Sequence, residues 1–456
     1  MLVRDVKRVA LTVGLIFGLL LINVSLWGTD AHSSIRAQVG AFFGKPFAPN
    51  SSANQETRPN GKSPTAKPSS ADKESNVGNT AVEGTDVNAT HHEIFSLSTA
   101  DKKYFAVKFD DFVTFNPSII PHPIRNDTWI IVAQKHRPVE VGNFHVELGC
   151  NAGFVDGALK CLEPASILPI AATKGGKCVG KFGAVNYNIG PHDARVFYGP
   201  KKPYIIFGSN SQRACFGMWI QDFRMLVEWG FEFFTDEDFR AVAELQRPPP
   251  YGVMEKNFFV FWDGNNERYV HHDTAPKRVF AKLAADGSVG PDLAPAAATT
   301  DDKCITRYLP KPASELESIH QATNSLKITM CKRADRSCKP NDDNTFIMAV
   351  VQHKTYYDYH SEYDPYVVVF RQRAPFEVYG ISRKPLWIHG RSRVNDKHTE
   401  MLYVASMNWK AHDIKYHGYL DDELILGFGI EDKQSGAIDV QASDLLGDLG
   451  LCSDPE

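Results

Sequence analysis

The sequence has no marked excess of charge of either sign. Its 456 residues include 50 lysines and arginines against 54 aspartates and glutamates, which gives a formal net charge of −4. Surfaces that bind duplex nucleic acid are strongly and unevenly basic, so nucleic acid is a poor candidate partner. The length allows one large domain or two or three ordinary ones.

Motifs of several common enzyme classes are also missing. We find no G-x-S-x-G, no Walker A loop, no H-E-x-x-H and no G-x-G-x-x-G after a strand, which removes the usual support for serine hydrolases, P-loop NTPases, zincins and Rossmann dehydrogenases. There is no D-x-D between apolar strands, which argues against a Rossmann-like, metal-dependent sugar-nucleotide transferase. There is no C-x-x-C pair to indicate structural zinc. No cofactor is predicted, and the need for a divalent metal is left open.

Charge is absent from residues 9 to 27 (VALTVGLIFGLLLINVSLW). A helix of this length nearly spans the hydrocarbon core of a bilayer. Three basic residues precede the run and the next base is Arg36, so the tip, residues 1 to 8, is predicted to stay in the cytosol. A cleaved signal peptide is the alternative, but the run is long for one and no A-x-A site follows directly. We predict an uncleaved signal anchor in a Golgi or other secretory-pathway membrane.

Large apolar residues are scarce after this run, above all between residues 50 and 90. Such a segment cannot offset the entropy of ordering, so residues 28 to 94 are predicted to form a flexible lumenal stalk. An ordinary disordered linker is the alternative. Residues 95 to 456 would then be the lumenal domain of a type II membrane protein.

All eight cysteines lie in this last part. An even number in an oxidising compartment suggests disulfides, and Cys331 and Cys338 are close enough to tie one turn. The other pairings are left open. Asn50, Asn88 and Asn126 each begin an N-x-S/T sequon and are predicted glycosylation sites if the domain is lumenal.

Long helical periodicity is scarce beyond residue 95. The apolar segments are short, rich in β-branched and aromatic residues and bounded by Gly, Pro, Asn and Asp, which is typical of strands. Strands are predicted at residues 128 to 134, 203 to 209, 257 to 263, 345 to 352, 366 to 372, 401 to 409 and 423 to 432. Short helices are expected at 235 to 245 and 441 to 449. The domain is predicted to be all-β.

A polar cluster followed by an apolar strand recurs along the domain. The clusters contain Asn116, Asp193, Lys256, His320 and His389, separated by 63 to 77 residues. Five units of this size fit a five-bladed β-propeller, in which the first strand of each blade lines a central channel where the clusters would meet. A two-sheet sandwich is the main alternative, and it gives no reason for this spacing.

The segment GPHDAR holds the sharpest candidate chemistry. His192, Asp193 and Arg195 enter a strand after a Gly-Pro turn, and alternation would place Asp193 and Arg195 on one face. A carboxylate among such neighbours can take a proton from a hydroxyl nucleophile or give one to a leaving group. The alternative is a buried ion pair that fixes the turn.

Other polar residues at strand starts are candidate substrate contacts. Lys256 would contact an anion, or else form a solvated strand end, and Asn257 beside it is a further candidate substrate contact. His320 and Asn324 would bind sugar hydroxyls with Asn116, or else serve as turn residues.

Aromatic and acidic residues precede the last strong strand. Tyr416, His417, Asp421 and Asp422 combine rings that stack on sugars with acids that bind hydroxyl pairs. The alternative is a polar hairpin loop.

The order of these motifs resembles a known group of enzymes. FNPSIIP, GPHDARVF, EKNFFVFW, HQATNS and YHGYLDDELILGFGIED follow one another as in the fungal β-mannosyltransferases of the secretory pathway. The pattern is more distantly similar to the five-bladed β-mannoside phosphorylases of glycoside hydrolase family 130 and their transferase relatives. The resemblance covers roughly residues 95 to 450.

The resemblance implies inverting transfer of mannose from a mannosyl donor, GDP-mannose above all, to a mannan or glycan acceptor of the fungal cell wall. It implies that Asp193 transfers the proton. It implies substrate contacts by Arg195, Lys256, His320, Asn324, Tyr416, His417 and Asp421. His192 stands where the phosphorylases more often have an acidic residue, which weakens the case for phosphate-dependent chemistry.

Two other functions fit the same residues. A lumenal propeller glycosidase would need two or three carboxylates on one sugar, and Asp193, Glu255 and Asp421 are candidates. A propeller that binds glycans without catalysis would keep the aromatic residues and tolerate loss of Asp193.

Overall fold

A computed structural model gives the fold of most of the C-terminal part of the chain. It describes residues 87 to 137, 143 to 230, 237 to 357, 360 to 393 and 398 to 455. The predicted tip and anchor, most of the stalk and Asn50 lie outside the described residues. No helix within these ranges is long and apolar enough to cross a bilayer.

The domain begins earlier than the sequence predicted. Helix α1 (Val87–Thr90) and strand β1 (His92–Ile94) lie in the segment assigned to the stalk. Strand β1 pairs in parallel with β20 (Leu386–Ile388), and Ile94 is buried. Residues 92 to 94 therefore belong to the folded domain.

Five antiparallel groups of strands, which we call blades, make up the fold. Blade 1 contains β3 (Thr114–Pro121), β4 (Trp129–Lys135), β5 (Glu147–Val155) and β6 (Ala158–Cys161), and blade 2 contains β8 (His192–Tyr198), β9 (Pro203–Asn210), β10 (Phe216–Asp222) and β11 (Ala243–Leu245). Blade 3 contains β12 (Phe259–Trp262), β13 (Arg268–Asp273) and β14 (Val279–Lys282). Blade 4 contains β16 (Leu326–Thr329), β17 (Thr345–Tyr357), β18 (His360–Arg371) and β19 (Val378–Ser382), and blade 5 contains β21 (Leu402–Trp409), β23 (Glu423–Ile430) and β24 (Gln434–Gln441).

The remaining elements are short and join or flank the blades. They are β2 (Phe105–Lys108), β7 (Ser166–Ile167), β15 (Ser318–Gln321), β22 (His417–Tyr419), β25 (Leu449–Leu451), α2 (Ala298–Tyr308), α3 (Ala442–Leu445) and the 3-10 helices Gly180–Tyr187, Phe223–Met225 and Ala294–Ala296. The domain is all-β, as predicted. Nearly every buried apolar run is short, and runs of this length form strands and not helices.

The first strands of the blades approach one another in the middle of the domain. Ser406 of β21 donates to the Pro117 carbonyl of β3 at 2.7 Å, and Asn408 of β21 donates to the Val196 carbonyl of β8 at 3.2 Å. Strand β2 closes the ring, since it pairs antiparallel with β24 of blade 5 and parallel with β6 of blade 1. The arrangement is that of a propeller with five blades.

Apolar side chains fill the spaces between blades. The largest buried cluster includes Phe197 of blade 2, Val260 of blade 3, Met348 of blade 4 and Leu426 of blade 5. Burial of this kind is the main stabilising term for the fold. The polar residues at the starts of the central strands lie outside these clusters, and of them Asp193 is exposed.

All eight cysteines are paired. The bridges are Cys150–Cys161, Cys178–Cys215, Cys304–Cys452 and Cys331–Cys338. The predicted link between Cys331 and Cys338 is confirmed. Of the sequons, Asn126 is exposed in the turn between β3 and β4, and Asn88 lies in α1.

Some predicted elements differ from the structure. The LWIHG segment was expected to open the fifth unit, but it forms β20, and His389 lies beside Glu93, with Nδ1 and Oε1 2.8 Å apart. The central strand of blade 5 is β21 instead. The predicted helix at 235 to 245 ends in strand β11 where the structure describes it, and the helix at 441 to 449 is limited to α3.

Candidate active site

Polar side chains meet where the central strands begin. We call this group the central cluster and define it as Asn116, Asp193, Arg195, Asn257, His320 and Tyr403. Blades 1, 2 and 5 contribute members from their first strands, Asn257 precedes β12 of blade 3, and His320 lies in β15, which pairs with β17 of blade 4. Five predicted site residues thereby come together from distant parts of the chain; only Tyr403 was not predicted.

Three members of the cluster have a left-handed backbone. The φ angles are 55° at Asn116, 50° at Asp193 and 64° at Asn257. Asparagine and aspartate tolerate this region better than most residues. In β3 and β8 the strand register also shifts at these positions, as in a β-bulge, and such shifts re-aim a side chain. The bulge at Asp193 leaves its side chain exposed while Ala194 is buried.

The Asp193 carboxylate is held from blade 1. Asn116 Nδ2 donates to Asp193 Oδ1 at 2.8 Å, and the Asp193 N–H donates to Gln134 Oε1 at 2.9 Å. The next N–H, that of Ala194, donates to Glu147 Oε1 at 3.2 Å. An exposed acid with a fixed backbone is suited to proton transfer.

Arg195 is a buried cation with unused donors. Its side chain is 2% exposed, and Nη2 donates to Asn257 Oδ1 at 2.8 Å and to the Tyr403 hydroxyl at 3.3 Å. Its Nε and Nη1 have no partner. A guanidinium group keeps its charge when buried, and unpaired buried donors are costly. The geometry therefore fits an anionic or strongly polar ligand at Arg195.

Other basic groups surround this arginine. Burial lowers the pKa of His320 to about 4, and Lys256, Lys354 and Arg195 add to the effect by repulsion. Burial and Lys256 likewise lower the pKa of Lys354. The positive charges of Lys256, Lys354 and Arg195 therefore act together on the surroundings of His320.

A second carboxylate and two tyrosines complete this mouth. Asp432, in the turn between β23 and β24, has its pKa raised by burial and by the negative charge of Asp193. The hairpin of β17 and β18 extends beyond its pairing with β15 and carries Tyr363, whose ring meets Tyr403 edge-on at 5.0 Å. Burial raises the pKa of Tyr363, and Tyr403, Asp432 and Asp193 contribute further.

His192 lies behind the acid rather than in the open mouth. Its ring centroid lies 3.6 Å from that of His145, with the two ring planes tilted by 36°, and Gln134 Nε2 donates to Nδ1 of His145 at 3.1 Å. Burial lowers the pKa of His192 to about 4, with a further contribution from Arg137. Both rings are therefore neutral at physiological pH and support the bulge at Asp193.

Several predicted contacts lie in the interior or at the opposite end of the central strands. Asn324 Nδ2 donates to the Met407 carbonyl at 2.7 Å, which joins blades 4 and 5. The hydroxyl of Tyr416 is buried and accepts from the Trp262 N–H at 3.2 Å. His417 Nε2 lies 2.7 Å from the hydroxyl of Thr329, at the end of β16.

The acidic candidates other than Asp193 have structural partners. Arg333 Nη2 donates to Asp422 at 2.6 Å, and the Ala334 N–H donates to Asp421 at 3.1 Å. Glu255 accepts from Arg247 Nη1 at 2.9 Å. The structure does not bring Asp421 and Asp422 to the central cluster, because they follow the far ends of the central strands.

Sequence reasoning missed the supporting residues of the site. They are Gln134, His145, Glu147, Lys354, Tyr363, Tyr403 and Asp432. Lone polar residues in apolar strands carry little signal, although the tyrosine-rich run near residue 360 is unusual. In the ranges that the structure describes, no group of three metal-ligating side chains is placed to hold a metal.

Comparison with known proteins gives only distant likenesses. No family model and no curated protein matches the chain. Among solved structures, a β-1,2-mannobiose phosphorylase from Listeria innocua is similar at 10% identity with a TM-score of 0.43, covering 78% of this chain and 98% of that one. A putative glycoside hydrolase from Bacteroides ovatus has 11% identity and a TM-score of 0.39 over 77% of this chain and 95% of its own. A Bacillus subtilis arabinanase has 9% identity and a TM-score of 0.32 over 75% and 98%. Likenesses this distant assign neither a family nor an activity.

Proposed function

We propose that the protein is an inverting glycosyl-transfer enzyme that acts on a phosphate-bearing sugar. Asp193 would transfer the proton, and the cations around Arg195 would bind the phosphate. The observation that carries the proposal is the buried guanidinium group with two unpartnered donor atoms in the same cluster as an exposed carboxylate.

The chemistry requires one proton transfer and one leaving anion. In the transfer direction, Asp193 takes the proton of the acceptor hydroxyl as the oxygen attacks the anomeric carbon. The bond from that carbon to the phosphate oxygen breaks, and its electron pair leaves with the phosphate. Arg195, Lys256 and Lys354 stabilise the negative charge that develops there. In the reverse direction, Asp193 protonates the departing glycan and phosphate attacks.

The sugar and the donor are assigned from the sequence motifs. We propose β-linked mannose, GDP-mannose as donor and a mannan or glycan as acceptor. The apolar run at residues 9 to 27 supports a Golgi or related membrane, with the catalytic domain in the lumen. Asn126 is exposed and so suited to glycosylation there.

Hydrolysis is the second candidate. Two carboxylates near one sugar are the machinery of most glycosidases. Asp432 is exposed in the turn between β23 and β24, and its pKa is raised, with a contribution from the negative charge of Asp193, in the direction that a general acid requires. Glu255 and Asp421, which the sequence offered for this role, are bound to other partners.

Three reactions with the purified full-length protein distinguish these functions. The first contains GDP-mannose and a mannan oligosaccharide, the second a β-linked mannobiose and inorganic phosphate, and the third the mannobiose alone. Elongation or phosphorolysis that falls at least about 100-fold in Asp193→Asn supports the proposal. Release of mannose in the third reaction selects hydrolysis instead. No turnover in any of them overturns the enzymatic assignment and leaves glycan binding.

A matched pair of arginine variants tests the phosphate site. Arg195→Lys keeps the charge but loses the forked donor geometry, so we expect KM for the phosphate-bearing substrate to rise about tenfold or more. Arg333→Lys, at the opposite end of the central strands, is expected to leave KM unchanged. Equal KM values in all three proteins would exclude Arg195 from phosphate binding.

A further inference from the structure

Two neighbouring side chains of blade 1 hold the backbone beneath the catalytic acid. Gln134 and Glu147 are cross-strand partners in β4 and β5. Gln134 Oε1 accepts the Asp193 N–H at 2.9 Å, and Glu147 Oε1 accepts the Ala194 N–H at 3.2 Å. Two consecutive amides of the bulge in β8 are therefore fixed by side chains from another blade.

The bulge depends on such support. Asp193 has a φ of 50°, and a residue other than glycine keeps a left-handed backbone only where its surroundings determine it. Asn116 holds the carboxylate itself, while Glu147 holds the peptide group that follows. Loss of the second contact would let the turn relax and move the carboxylate.

Glu147 is an unusual residue for this purpose. Its side chain is completely buried, and its Oε2 atom has no partner. A buried carboxylate with an unpaired oxygen is strongly disfavoured, whereas a protonated carboxyl group still offers Oε1 as an acceptor.

We propose that Glu147 is a positioning residue for the reaction at Asp193: its uncharged carboxyl group fixes the Asp193–Ala194 turn and thereby aims the Asp193 carboxylate at the substrate. This inference rests on the proposed function. Glu147 lies outside the mouth of the ring and would nevertheless help to set the rate of the reaction.

The charges around Glu147 favour the uncharged form. The negative charge of Asp193 acts from β8, and His145 lies two residues before Glu147. The adjoining strand β7, Ser166–Ile167, has no titratable side chain. Burial, with a further contribution from the negative charge of Asp193, raises the pKa of Glu147 to about 8, although the bond from Ala194 opposes this. Glu147 is therefore protonated at neutral pH and ionises above it.

Two substitutions of Glu147 test separately its role as a hydrogen-bond acceptor and its ionisation. Glu147→Gln keeps an acceptor oxygen for the Ala194 N–H but cannot ionise. We expect its kcat at about pH 6.5 to stay within roughly threefold of wild type, and the decline of kcat at alkaline pH to disappear. Glu147→Leu lacks the acceptor and is expected to lose about 10- to 100-fold in kcat at every pH, with KM little changed.

Thermal unfolding tests the ionisation of Glu147 without a measurement of activity. The raised pKa means that the folded state keeps a proton that the unfolded chain has lost, so wild type should lose stability relative to Glu147→Gln as pH rises from about 5 to about 8. Parallel Tm curves would show that Glu147 does not titrate as inferred. This comparison remains decisive if Glu147→Leu fails to fold.

The outcomes also separate this inference from the proposed function. An inactive wild-type protein overturns the proposed function and the role at Asp193 with it. An active wild type with an unchanged kcat in Glu147→Leu, or with an unchanged alkaline decline in Glu147→Gln, overturns only the positioning role.

Discussion

Asn116 donates a hydrogen bond of 2.8 Å to the carboxylate of Asp193, and both residues have a left-handed backbone. The two lie on the central strands of neighbouring blades, 77 residues apart in the chain. The contact shows that the orientation of the exposed acid is built into the junction of two blades.

Replacing Asp193 by asparagine should remove the proton-transfer group with little effect on the fold. Asparagine also tolerates a left-handed backbone, so we expect Tm to change little and kcat to fall at least about 100-fold. Asp156→Asn is the matched control, since Asp156 is exposed and has a φ of 51° in the turn after β5. Equal losses of activity in the two variants would contradict the assignment of Asp193.

Two variants of Asn116 should separate backbone strain from the contact with Asp193. Both Asn116→Gly and Asn116→Ala lose the amide donor, and both should therefore lower kcat. A left-handed backbone costs alanine, but not glycine, about 1 to 2 kcal/mol of stability. The Asn116→Ala variant should therefore unfold at a lower urea concentration than Asn116→Gly. Activity that follows stability, rather than the missing amide, would argue against a role in orienting Asp193.

His320 should make the protein sensitive to acid. Its folded pKa of about 4 lies below that of the unfolded chain, so its contribution to stability is complete above about pH 6.5 and is lost as pH falls towards 4. Relative to His320→Gln, wild type should lose about 2 kcal/mol between pH 7 and pH 5 in urea unfolding. Parallel losses in both proteins would place the acid sensitivity elsewhere.

The disulfides should contribute unequally to stability. Cys304–Cys452 joins residues 148 positions apart, whereas Cys331–Cys338 spans 7 positions. In the chain-entropy model the long link is worth about 5 kcal/mol and the short one about 2 kcal/mol. Paired Cys→Ala variants compared by denaturant unfolding check the order, and a larger loss for the short link would contradict it.

The sequence predicted the strands well where they are uniformly apolar. Residues 203 to 209 were assigned to a strand, and β9 covers Pro203–Asn210. Of the recurring polar residues, Asn116, Asp193 and His320 lie in the central cluster, Lys256 is represented there by its neighbour Asn257, and His389 lies elsewhere. Their spacing carries this information because each blade returns the chain to the same end of the ring.

The predicted site residues that lie away from the central cluster have a common physical explanation. A polar residue before an apolar strand marks an end of that strand but does not say which end of the ring it occupies. Asp421 and Asp422 precede β23, which runs opposite to the central strands, so they lie at the far end. His389 follows β20, which pairs with β1 and is not a central strand.

The supporting residues of the site also escaped prediction, and the reason is different. Glu147 is a single acidic residue in a strand and would normally be assigned to the solvent face. Its burial depends on β8 being packed against β5, a contact that no local pattern records.

The pairing of β2 with β24 determines when the ring can close during synthesis. The ribosome releases the chain from its N-terminus, and a domain generally folds as a unit. Strand β2 leaves the ribosome before any blade exists, and although β6 of blade 1 can pair with one of its edges early, the partner of its other edge belongs to the last blade to be made. That second edge of β2 therefore stays unpaired through nearly all of translation, and it is the surface that a chaperone would need to protect until the final strands arrive.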